Sequence, residues 1–171
     1  MKLRRFVCRT VGFTLLAFGG VNFANAGTPG LCAGHIPQCK VSRMCGSKST
    51  TCNVRISEKH GVATATAQNL ANGHSGKPAY PICVEPGTKI SWSTQESGSG
   101  FIATFGVPHP FTRTPTTGAI FQGNVGQPDS DIADLKGCYQ YDLQHSIDGQ
   151  PSTYADPKVI VTSPILGGNT H

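Results

Sequence analysis

Several kinds of chemistry lack their residues in this sequence. It has no Cys-x-x-Cys pair of the sort that redox and many zinc sites use, and no Gly-x-Ser-x-Gly nucleophile motif. Methionine occurs twice, as Met1 and Met44. No stretch carries apolar residues at helical spacing for long, so no amphipathic helix is expected. The acidic run Asp129–Asp134 has neither the turn glycine nor the closing glutamate of a helix–loop–helix calcium site. The apolar run Val11–Phe18 is too short to span a bilayer. These gaps count against a thiol oxidoreductase, a serine hydrolase of that type, an EF-hand protein and a membrane-spanning chain.

What the N-terminus does contain is an export pattern. Lys2, Arg4, Arg5 and Arg9 precede the apolar run, and Ala24-Asn25-Ala26 fits a small-x-small cleavage site. Arg4-Arg5 opens a twin-arginine route, but the residues after it fit that signal loosely, so general secretion to the periplasm or medium is expected. Residues 1–26 are therefore read as a signal, and removing them from 171 leaves 145, the size of one domain. Of 14 lysines and arginines four lie in that signal, so the remaining 10 nearly balance the 9 acidic residues. The basicity belongs to targeting and gives no reason to expect a nucleic-acid partner.

Cleavage also removes Cys8 and leaves six cysteines, an even number in an exported chain, which reads as disulfides. Neither Cys8 nor Cys32 follows the small residue that a lipid-anchor site needs. Cys32, Cys39, Cys45 and Cys52 lie 7, 6 and 7 residues apart in a segment, 27–52, rich in Gly, Ser and Lys. Cys32 and His35 resemble a zinc ligand pair, but the even spacing favours bridges among these four.

From residue 53 onward the pattern is that of strands. Val54 and Ile56 alternate with polar residues, Lys59-His60-Gly61 turns, and Val62–Thr66 returns. Ile82–Val84 and Lys89–Ser93 flank the turn Glu85-Pro86-Gly87-Thr88, with Ile90 and Trp92 on one face. Phe101, Ala103 and Phe105 share a face, and so do Tyr139, Tyr141 and Leu143, followed by a polar loop and a closing strand Lys158–Thr162. Between them, 106–134 carries four prolines and only short strand candidates such as Ala119–Phe121. Short strands, turn residues and no helix predict an all-β sandwich over 53–163, with 164–171 as a tail.

Two segments, Cys83–Phe111 and Gly137–Val161, resemble the cupredoxins, the Greek-key β-sandwich of the blue copper proteins. One carries a Pro-Gly turn leading to Ile90-Ser91-Trp92. The other reads Gly137-Cys138-Tyr139-Gln140-Tyr141-Asp142, where the family continues into a cysteine ligand and then His and Met. The likeness spans about Ile82–Thr162. It implies a cupredoxin-like Greek-key sandwich in which the turn at Glu85–Thr88 and the start of the Tyr139 strand share the pole opposite the metal. It thereby implies a Cys83–Cys138 bridge.

The same resemblance places the family's cysteine ligand on Leu143 and its upstream histidine at Gly100 or Phe101, and leaves no methionine. A blue copper centre needs a thiolate and two imidazoles. The expectation is a binding or structural module without blue copper or other cofactor, not an enzyme, serving an unidentified protein or small-molecule partner. The alternative is a copper or zinc site built on His109 or His145, joined by Asp142 or Asp148, for metal handling or electron transfer. Both histidines read as exposed loop residues.

Overall fold

Alternation from residue 52 onward becomes a two-sheet sandwich in the computed structural model, which describes residues 30–32, 38–77, 80–112 and 116–164. The expected signal and all but the first residue of the expected tail lie outside these, as does His35. Within them the first half of the chain supplies β1 (Gly30–Leu31), a 3-10 turn (Val41–Arg43), β2 (Cys52–Lys59), β3 (Val62–Ala67), β4 (Ile82–Val84) and β5 (Thr88–Thr94). The second half supplies β6 (Ser99–Phe105), β7 (Ala119–Asn124), β8 (Asp129–Ala133), β9 (Gly137–Ile147), β10 (Gln150–Pro151) and β11 (Lys158–Val161). One sheet runs β4-β11-β9-β6-β7 and the other β3-β2-β5-β8. Both are mixed: β11 pairs parallel with β4 and β2 parallel with β5.

The expected β2–β3 hairpin forms, and its turn is chemically explicit. His60 and Gly61 both have positive φ, 54° and 78°, as a tight two-residue hairpin turn requires. Inward residues are Cys52, Val54 and Ile56 on β2 and three alanines on β3. The bulk of the core comes instead from large side chains on other strands. There Trp92, Phe105, Phe111 and Phe121 pack edge to face or tilted, with Trp92 and Phe121 centroids 4.4 Å apart. Phe105 stacks on Tyr141 at 4.4 Å. The aromatic stripe is the core.

The acidic run, not among the strands expected from the sequence, forms most of strand β8, at the end of its sheet. Asp129 and Asp131 lie opposite Trp92 and Ile90 of β5. Aspartate is a poor strand former, but carboxylates on an edge strand discourage pairing with another chain. Asp129 also accepts a hydrogen bond from the Gln122 backbone N–H of β7 at 3.3 Å, tying together the last strands of the two sheets.

A second, smaller core lies on the outer face of β4, β11 and β9. Cys83, Ile160 and Cys138 form a row across these three strands and are covered by Cys39 and Met44. The bridges here are Cys32–Cys138, Cys39–Cys83 and Cys45–Cys52. The expected Cys83–Cys138 bond is therefore incorrect, as is pairing of the first four cysteines only among themselves. The reason is geometric. Cys83 and Cys138 do sit near each other, but Ile160 of β11 lies between them. Two strand spacings are about 9.5 Å, beyond the roughly 7 Å that a disulfide can close between Cα atoms. Each cysteine instead reaches outward to the segment that covers it.

Candidate functional site

Strand β9 decides where the functional candidates go. Its inward row runs Tyr139, Tyr141, Leu143, His145, two residues further than the sequence pattern suggested. The expected polar loop thus starts later, at the Asp148-Gly149 turn, where both residues have positive φ. Asp148, a metal-ligand option in sequence, is a turn residue whose backbone N–H donates to the Gly98 carbonyl at 3.0 Å.

His145 is consequently not an exposed loop residue. It is fully buried, 0 % exposed, opposite Phe101 of β6. Its Nε2 lies 3.3 Å from the Thr94 hydroxyl, which lies 2.6 Å from the Ser99 hydroxyl. Ser99 donates in turn to the Glu96 carbonyl at 2.5 Å. With Ser99 committed as donor there, donation runs from His145 Nε2–H to Thr94, to Ser99, to the backbone of the β5–β6 turn. The Glu96 carboxylate stands 3.8 Å from the same nitrogen, and Nδ1 has no hydrogen-bond partner among the described residues. His109 is likewise buried, at 2 % exposure. Its Nε2 donates to the Thr117 carbonyl at 2.7 Å, its Nδ1 accepts from the Phe111 N–H at 3.2 Å, and its ring stacks near Phe111. That imidazole ties Phe111 to Thr117, with both nitrogens used on the backbone.

The donor set does not fit copper. Leu143 and Phe101, at the positions the resemblance assigns to ligands, are buried core residues. The two histidines hold different partners, and all six described cysteines are in disulfides. Among the described residues no group of three or more His, Cys, Asp or Glu side chains converges as a metal would need. Asp142 points outward, its carboxyl raised above the ordinary range by burial and then by the neighbouring Asp156. Deeper in, burial pushes the Tyr141 phenol well above its usual value, only partly offset by the Trp92 indole facing it. These shifts follow from packing and mark no reactive group.

The open surface lies on the other side of the same strands. A groove of about 470 Å³ runs over the outer face of β6, β7 and β9, within the usual range for a ligand site, roughly 300–1,000 Å³. Cross-strand register builds it in two rows. Asn124, Gly100 and Ser146 form one; Gln122, Ile102 and Gln144 form the next. Gln127 of the β7–β8 turn walls one side and Pro151, returning on β10, the other. Gly100 is the floor: a Cβ there would lie 2.8 Å from Asn124 Oδ1 and 3.5 Å from Ser146 Oγ. Two side-chain oxygens therefore close over bare backbone.

From the sequence only the Gly100–Phe101 position was named, as the place of the family's missing histidine; the amide and hydroxyl residues of the groove were not. The available signal was the outward half of each alternation, Gln122 and Asn124 on β7 and Gln144 on β9, which reads as ordinary solvated polarity until β6 is known to lie between them. Comparison of the chain with protein-family models, curated proteins and solved structures finds no match in any of the three.

Proposed function

We propose that this chain is an exported, cupredoxin-like binding module without blue copper, and that it binds through the outer face of β6, β7 and β9. Export is supported by the N-terminal pattern together with three intrachain disulfides, which suit an oxidising compartment. The cupredoxin-like reading is supported by the mixed two-sheet order and by the Trp92 and Tyr139–Tyr141 segments taking core positions. No catalytic step is assigned to it.

One observation carries the functional part. The pole where the resemblance would put metal is filled by Leu143, Phe101 and a buried His145, while the concave, polar surface lies outside on the same strands. Function must be argued from the site rather than the frame. The test is metal analysis of protein purified from its own exporting cell. Copper and zinc well below one per chain are expected, and a full equivalent of either would overturn the reading.

A further inference from the structure

We infer that the groove is a subsite for a neutral oligosaccharide, bound by carboxamides and hydroxyls from above and by an apolar strip along its floor. The inference rests on the reading of that groove as the binding surface and adds the chemistry of its occupant.

The first argument is charge. Among the described residues, no Lys, Arg, His, Asp or Glu lines the groove. An anionic ligand would find no cation there, and a metal or amine would find no carboxylate; burying either charge unpaired is costly. The second is hydrogen-bond type. Gln122, Asn124, Gln127 and Gln144 each offer an amide oxygen as acceptor and an NH2 as donor, and Ser146 adds a hydroxyl that does both. A sugar hydroxyl also donates and accepts, so adjacent ring hydroxyls can satisfy both atoms of one carboxamide. The third is the floor. β6 is paired on both sides, by β7 and β9, so its backbone has no free edge for an added peptide strand. What the floor offers is Ile102, still 44 % exposed, beside Gly100, over which the Asn124 and Ser146 side-chain oxygens close. Tyr154 flanks the groove with 54 % of its surface exposed, its hydroxyl donating to Gln144 Oε1 at 3.3 Å. An apolar side chain and an aromatic ring beside a row of amides match a pyranose, which has C–H faces and a hydroxyl rim. A polar tip on an apolar ring is what makes tyrosine useful at such a boundary.

The experiment uses the mature disulfide-bonded protein labelled with nitrogen-15. It is titrated with a panel of neutral oligosaccharides (cello-, manno-, xylo-, malto- and chito-series, two to six units) and with an uncharged hexapeptide. At least one glycan series should shift the amide resonances of Gly100, Ile102, Gln122, Asn124 and Gln144 in a saturable way. Gln144→Ala should weaken that binding about tenfold, the loss of one or two hydrogen bonds. Gly100→Val, which fills the floor, should abolish it, while both variants keep the wild-type pattern of resonances on β2 and β3. Three results would overturn the inference, and they differ in meaning. If no glycan shifts any resonance, the ligand class is wrong. If the peptide alone shifts the groove resonances, the surface stands and the glycan falls. If glycan binding maps elsewhere and survives both substitutions, the groove itself is wrong.

Discussion

At the scale of single residues, His145 shows how environment reassigns a side chain. In sequence it follows Gln144 and precedes Ser146, and reads as part of a solvated loop. In the fold it is the fourth inward residue of β9, fully buried, with Thr94 and Ser99 relaying its hydrogen bond to the β5–β6 turn. Replacing it with alanine removes a large buried ring and strands the Thr94–Ser99 pair. His145→Ala is therefore expected to cost about 2–4 kcal/mol in urea unfolding, the range for deleting a large buried side chain. Tyr154→Ala, at an exposed site, should change stability by less than about 0.5 kcal/mol. A near-zero effect for His145→Ala would mean that the imidazole is in solvent after all. What hid this was the polar composition of 144–146, since alternation is hard to see when the outward residues and one inward residue are all polar.

At the scale of elements, strand order explains both what was legible and what was not. The β2–β3 hairpin was legible because alternation and a His60-Gly61 turn lie next to each other in the chain. So were the cores of β5, β6 and β9, whose inward rows carry Ile90, Trp92, Phe101, Phe105, Tyr139, Tyr141 and Leu143. The disulfide partners were not. β4 and β5 are neighbours in sequence but belong to different sheets, and β11 arrives last to separate Cys83 from Cys138. The Cys39–Cys83 bridge spans 44 residues and Cys45–Cys52 only 7. By loop-closure entropy, removing the longer one with paired alanines should cost about 4 kcal/mol, and removing the shorter about 2.4 kcal/mol. Urea unfolding of the two double variants checks the order. A larger loss for Cys45→Ala/Cys52→Ala, or recovery of a Cys83–Cys138 peptide on non-reducing mapping, would contradict this layout.

At the scale of the molecule, one face holds the chain together, and another is the one proposed to meet a partner. The N-terminal segment, bolted through Cys32 and Cys39, covers the outer side of β4 and the Cys138 end of β9. The other half of that same sheet, across β6, β7 and the far end of β9, carries the amide groove. Between the two layers, the pole that a cupredoxin-like frame would reserve for metal is continuous with the aromatic core. Visible absorption of the oxidised protein loaded with one equivalent of Cu(II) tests this most directly. A blue centre needs a cysteine thiolate, and every described cysteine is already spent in a disulfide. We predict at most a faint d–d band that EDTA removes; an intense thiolate-to-copper band from the wild-type protein would contradict the account.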